Sequence, residues 1–284
     1  MHDAKTAVAS AAVSNAAETV TTDNVSTTAR GKRRRTWSAL SSAAVSPVTA
    51  EISPRSRCVT LVNEQQSDCA RCGMRLSALF GAIDPSKFAD ELKSIHNGIV
   101  RENSVIYRQG DVADAVFTIR TGLIKLVHQN ESEEIVRLLG RGGAIGLEAA
   151  SGGRYEHTVV AIRDLNLCRI PASTLRVLME QHPRLLSGLA DQWREHATLS
   201  EQWISTLSRG KHQDRVASLI RLIVKISGDS PNAVRLPRTA EMAAILDSSP
   251  TYLSRWMATL KRKRLLTRIG PWLYRCDPSL IEPP

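Results

Sequence analysis

Residues 238–266 read RTAEMAAILDSSPTYLSRWMATLKRKRLL, and no other stretch restricts the fold as much. Met242, Ile245 and Leu246 make the apolar face of one short helix, with Thr239 placed to cap its start and Glu241 in its first turn. Asp247 falls where a tight turn is expected, and Asp tolerates the left-handed backbone such a turn often needs. Ser248 or Ser249 can cap a second helix, and Pro250 suits its first position, where no backbone N–H is required. Leu253, Trp256, Met257 and Leu260 recur at three- and four-residue spacing and would pack inward. That leaves Thr251, Tyr252, Ser254, Arg255 and Thr259 largely outward. Two short helices about a tight turn make a helix-turn-helix, and hydrogen-bonding residues near the start of the second suit a major groove. An ordinary helical hairpin with solvated charges would share this spacing, so charge has to discriminate.

Residues 208–276 carry 14 Lys/Arg and 4 Asp/Glu, whereas residues 55–207 carry 18 of each. The excess of +10 for the whole chain is therefore concentrated on the C-terminal end. Positive charge gathered on one small domain is the footprint of phosphate binding, which makes double-stranded DNA the expected partner. Lys261, Lys263 and Arg264, with Arg262, read as anchors on the DNA backbone, and Ser249 and Tyr252 are placed to join them. Such anchors supply affinity and salt dependence but little choice of sequence. A membrane surface would also attract this charge, but no run of 18 or more apolar residues is present to span one.

The length leaves room for about two domains. Residues 1–54 are rich in Ala, Ser, Thr and Val and show no sustained period, the pattern of a disordered tail. The run Arg30–Arg35 reads as solvated charge, with a basic arm on nucleic acid as the alternative. The tail has no apolar core of signal-peptide length, so a cytoplasmic protein is expected. The five cysteines of the chain are odd in number and unevenly spread, which argues against a disulfide framework. In a reducing compartment, clustered cysteines point to metal, cluster or redox chemistry instead.

A Cys-bearing loop at 55–80 precedes a region, 81–182, of short strand-like segments with glycine punctuation. Strands are expected at 104–107, 115–120, 122–128, 134–139, 144–147, 156–161 and 165–170. Many short strands with closely spaced turns imply a β-sandwich or roll. Residues 183–208 then form a long helix in which Leu185, Leu189, His196, Leu199, Trp203 and Leu207 make one stripe. The stripe resembles a coiled-coil seam and predicts a homodimer through this helix, the alternative being packing on its own domain. Residues 209–284 hold a further helix with Val216, Leu219, Ile220 and Ile223 inward, then the helix-turn-helix. Segments 267–269 and 272–275 flank Gly270-Pro271 as a hairpin, the wing of a winged helix. The fold class is α+β: a β-roll, a long helix and a winged helix-turn-helix.

This order resembles the Crp/Fnr family of bacterial transcription regulators. The resemblance is carried by VIYRQGD at 105–111, VFTIRTGLIK at 116–125, Gly142 to Gly146, LCRIP at 167–171, and Leu253-Ser254-Arg255, and it covers about residues 58–280. It implies a cyclic-nucleotide-binding-like roll, a dimer, and RNA polymerase as a protein partner. Ser254-Arg255 falls where the family carries its base-reading pair, and Thr251 stands where it often carries a Glu. Arg donates two hydrogen bonds to guanine, worth roughly 1–3 kcal/mol of discrimination.

The cyclic-nucleotide branch holds phosphate with a Gly-Glu pair and a later Arg-Ser or Arg-Thr pair. Here Gly146 is followed by Leu147 and the later pair falls on Tyr155-Glu156, which argues against a cyclic nucleotide. The Fnr branch binds a [4Fe–4S] cluster, and Cys69, Cys72 and Cys168 match three of its four ligand positions. The remaining position is Ala78, so Cys58, eleven residues before Cys69, is the candidate fourth thiolate. Zinc, a thiol–disulfide switch or no cofactor at all would suit the same residues, as would sensing of another small ligand. Cys276 fits none of these schemes. No Gly-rich phosphate loop and no H-E-x-x-H is present, and the seven His lack ligand spacing, so an enzyme is not expected. A module whose basic end docks on an acidic protein is the remaining alternative.

Overall fold

The computed structural model describes residues 58–69, 71–72, 84, 89–130 and 133–281. The expected tail with its Arg30–Arg35 run, and Ala78, lie outside them. The N-terminal half is a roll of β1 (Val62–Gln66), α1 (Ala89–Leu92), β2 (His96–Val100), β3 (Val105–Tyr107), β4 (Ala115–Thr121), β5 (Ile124–Gln129), β6 (Glu133–Leu139), β7 (Ala144–Ile145), β8 (Thr158–Ala161) and β9 (Leu165–Pro171). Two antiparallel sheets result, with strand orders β1-β2-β9-β4-β7 and β3-β8-β5-β6. Phe117, Ile119 and Leu167 from the first share one core with Ile106, Ile124 and Val159 from the second. Alternate residues of each strand point inward, so two facing sheets can bury both apolar sets at once.

Strands β3 to β9 coincide closely with the expected segments; β1 and β2 do not appear in the sequence pattern. β1 reads VNEQQ and is exposed throughout, so it lacks alternation. β2 contains Gly98, where a Cβ would stand 2.6 Å from Leu61 Cβ. Glycine there permits the close approach of the chain that carries β1.

After the roll come α2 (Ala172–Gln181) and α3 (Arg184–Gln202), then a π-helical turn at Trp203–Leu207. Here the structure corrects the seam. Leu185, Leu189 and Leu199 are buried in the roll's own core, while Trp203 and Leu207 are buried in a second core further along. His196 is half-buried. The exposed apolar side chains are their neighbours: Leu186 at 50 %, Trp193 at 49 % and Ile204 at 55 %, with Ala190 and Ala197 between them. The richer apolar stripe went to the intramolecular core, because a helix cannot present the same face both inward and to a partner.

The C-terminal half comprises α4 (His212–Ser227), β10 (Val234–Arg235), α5 (Thr239–Ile245), α6 (Pro250–Arg262), β11 (Leu266–Gly270), β12 (Leu273–Cys276) and α7 (Pro278–Ile281). Val216, Leu219, Ile220 and Ile223 of α4 are buried with Met242, Leu246, Leu253 and Met257. The wing gains a third strand, in the order β10-β12-β11. Leu123, Leu138 and Ile162 of the roll join this second core, and Lys125–Glu241 (2.7 Å), Arg238–Glu102 (3.0 Å) and Arg163–Asp229 (3.1 Å) pair across it. Arg215 donates from Nε to Leu207 O, and its guanidinium also donates to Leu246 O. One side chain thus joins the end of the long helix to the turn of the helix-turn-helix.

Candidate nucleic-acid interface and sensory pocket

Asp247 has φ 46°, the left-handed turn its type allows. Ser249 caps α6: its Oγ accepts from Tyr252 N–H at 3.2 Å, and Pro250 occupies the first helical position. Thr239, expected as a cap, is instead the first residue of α5, and Arg238 stands at the cap without a side-chain bond. Leu253 and Met257 are buried, and Trp256 and Leu260 half-buried. Their burial turns Thr251, Tyr252, Ser254 and Arg255 to the surface, on the first two turns of α6. Thr259, read as outward, is half-buried, and its hydroxyl donates to Arg255 O at 3.0 Å.

Lys261, Arg262, Lys263 and Arg264 follow on the same helix end, all exposed. Lys261 Nζ lies 5.3 Å from the Tyr274 ring centroid, a cation–π contact that leans the helix end on the wing. Arg264 has φ 60° and Leu265 N–H donates to Leu260 O, so Arg264 also terminates the helix. The wing tip adds exposed Trp272 and Ile269.

The cysteines divide into two places. Burial and then the neighbouring Cys168 and Cys72 push the Cys69 thiol up to about 11. Burial raises the Cys168 thiol as well, and Ser67 Oγ lies 3.6 Å from its Sγ. These three thiols therefore sense one another. Cys58 is elsewhere: it donates to Asp114 Oδ1 at 2.9 Å and lies 3.4 Å from Tyr155 Oη, inside the roll's core. Burial and that carboxylate push its thiol up to about 12. The Asp114 carboxylate and the loss of solvation both disfavour a thiolate at Cys58 in this arrangement. Cys276 is buried in the C-terminal core, and burial alone pushes its thiol up to about 11.

A cavity of about 360 Å³ opens between the roll and α3, lined among others by Tyr107, Arg137, Glu148, Glu156, His157 and His196. Gly146 begins the turn that carries Glu148, at φ 73°; a Cβ there would meet Ala115 O at 2.7 Å and Tyr155 at 2.9 Å. Tyr155 is fully buried and stacks on Tyr107, centroids 3.7 Å apart, and its hydroxyl donates to Ala115 O. The position of the family's phosphate-binding arginine is thus taken by a core tyrosine. Burial raises the Glu148 carboxyl above its ordinary range. Burial first, then Arg137, lowers both His157 and His196, the latter to about 4. Sequence reasoning missed Glu148, His157 and Arg137. Only the closure of the turn and the two sheets brings them together.

The description "Cyclic nucleotide-binding domain" matches residues 99–182. The transcriptional activator protein FnrA of Stutzerimonas stutzeri is 25% identical over 209 residues, which is 72% of this chain and 85% of that protein. A 93-residue stretch, 32% of the chain, is 34% identical to patatin-like phospholipase domain-containing protein 6 of Pongo abelii, but spans only 7% of that protein. Among solved structures, FixK2 from Bradyrhizobium japonicum shares the fold, with TM-score 0.57 and 18% identity over 64% of this chain and 91% of that one. The roll, long helix and winged helix-turn-helix share the fold of FixK2, and the similarity to FnrA runs over most of both chains, so this chain is similar to Crp/Fnr-type transcription regulators.

Proposed function

We propose that this regulator binds double-stranded DNA as a homodimer, with α6 of each copy in a major groove. The observation that carries this is the exposed row Thr251, Ser254 and Arg255 on the capped start of α6, followed by the exposed cations at 261–264. Arg255 reads guanine, Ser254 a base or phosphate, and Thr251 a thymine methyl or a hydrogen-bond acceptor. Ser249, Tyr252, Lys261, Lys263 and Arg264 hold the backbone. The exposed stripe of Leu186 and Trp193 on α3 and Ile204 on the π-helical turn after it is the dimer face, and a twofold protein then demands half-sites one helical turn apart. The protein acts in the cytoplasm with RNA polymerase and performs no reaction of its own.

A gel-shift with selected and random duplexes tests this. Arg255→Ala should abolish sequence preference while weak general binding stays. Equal affinity of the unaltered protein for every duplex at moderate ionic strength would refute the reading.

The signal is redox state or oxygen, received at Cys69, Cys72 and Cys168. What supports this is geometric: Cys168 stands on β9, the central strand of the first sheet, and Ser67, two residues before Cys69, brings its Oγ within 3.6 Å of the Cys168 Sγ. A [4Fe–4S] cluster usually takes four thiolates, and with Cys58 bound to Asp114 the set is one short. The trio is therefore read as a thiol site rather than a cluster cradle. Anaerobic purification with iron and sulfide analysis decides: a brown protein with stoichiometric iron that Cys69→Ala bleaches would overturn the thiol reading. Binding of a cyclic nucleotide is disfavoured because Glu148 and Glu156 line the cavity where its phosphate would lie.

A further inference from the structure

The cavity between the roll and α3 holds a donor set that the readings above leave unused. One carboxylate oxygen of Glu148, one of Glu156 and one ring nitrogen of His157 all lie within 4.8 Å of one another. Glu148 comes from the turn after β7, and Glu156 and His157 from the approach to β8, so two separate segments converge. Glu156 N–H donates to Glu148 Oε1 at 3.2 Å, which holds the first carboxylate in place. The nearby guanidinium of Arg137 is turned to α3: its Nε and Nη2 both donate to Ser200 Oγ, at 3.0 and 2.6 Å. A second observation points to a ligand in the same space. The Nε2 atom of half-buried His196, which also lines this cavity, is shielded from solvent and has no hydrogen-bond partner. A buried imidazole nitrogen left unpaired is costly unless something else meets it.

We propose that Glu148, Glu156 and His157 bind a first-row divalent cation in this cavity. Two carboxylates and one imidazole are a mixed oxygen and nitrogen set, suited to Mn²⁺, Fe²⁺ or Zn²⁺. The ion would offset the two negative charges and leave coordination positions open to the cavity. Trp193, His196 and Ala197 of α3 form part of the wall, so occupancy is felt by the helix that bears the exposed apolar stripe.

The test uses the full chain and Mn²⁺ as the probe, because thiolates at Cys69, Cys72 and Cys168 compete poorly for it. Electron paramagnetic resonance of free Mn²⁺ reads the bound fraction directly. One ion per chain is expected, retained when Cys69, Cys72 and Cys168 are all replaced by Ser. Changes in shells beyond the ligands already cost roughly 10–100-fold in metal affinity, so loss of a direct ligand should weaken binding by at least roughly tenfold. Glu156→Gln and His157→Gln should each do so with unchanged circular dichroism. Glu148→Gln should match them, and if its deeper position upsets folding the other two variants still decide. Binding that survives Glu156→Gln and His157→Gln, or no binding by the unaltered chain at millimolar Mn²⁺, overturns the proposal. Neither result bears on DNA binding, which the gel-shift reads separately.

Discussion

Arg137 Nη2 donates to Ser200 Oγ at 2.6 Å, so strand β6 of the roll grips α3 at the cavity wall. The same Ser200 hydroxyl donates back to His196 O, one turn earlier. Whatever occupies the cavity is thereby one hydrogen bond from the long helix. Ser200→Ala removes the acceptor and leaves two guanidinium donors without it. A lost bond of this kind costs about 1–3 kcal/mol, so the urea midpoint should fall with an unchanged slope. An unaltered midpoint would show that Arg137 finds another acceptor.

His196 supplies a pH test with a definite sign. Its folded value is depressed from 6.5 to about 4 by burial, so between these values the unfolded chain binds more protons. Stability should therefore fall as the pH drops from about 6.5 towards 4, by up to about 3 kcal/mol from this group. Denaturation midpoints at pH 7 and pH 5 should differ less in His196→Leu than in the unaltered chain. An identical loss in both would place the acid sensitivity elsewhere.

The two stripes of α3 should respond in opposite ways. Trp193→Asp is expected to give monomers by sedimentation velocity while the melting temperature of the chain stays close to its original value. Leu189→Ala instead empties buried volume in the roll and should cost about 2–5 kcal/mol. A dimer that survives Trp193→Asp would move the interface off this stripe.

Cys58 should be inert. With its thiol pushed up to about 12, its thiolate fraction near pH 8 is about a thousandfold below that of an ordinary cysteine. Peptide mapping after brief iodoacetamide treatment should find it unmodified in the native chain and modified in urea. Prompt native labelling would mean the Asp114–Tyr155 enclosure opens readily.

Lys263 and Thr251 separate the two kinds of DNA contact. Lys263→Ala should weaken all duplexes alike and lower the salt slope by about one. Thr251→Glu should change the preferred base pair at one half-site position, by roughly 1–3 kcal/mol. Site selection on the purified variants distinguishes these outcomes.

Local regularities reached far in this chain. The short, glycine-punctuated strand segments of the roll, the cap at Ser249 with Pro250, and the turn at Asp247 each depend on neighbours within a few residues. β1 escaped because its five residues are exposed and carry no alternation. α3 misled because its sequence holds two adjacent apolar stripes, and only packing shows which one the chain keeps for itself.

The sequence alone determined most of the roll strands from β3 onward, the helix-turn-helix, the basic C-terminal end and the outward row on α6, since these follow from spacing and charge along a single helix or strand. Tertiary structure decided the rest. It set Cys58 against Asp114, closed Glu148, Glu156 and His157 around one cavity, and turned Leu186, Trp193 and Ile204 outward. Those outcomes depend on contacts between residues distant in the chain, and spacing along the chain carries no record of which distant segments will meet.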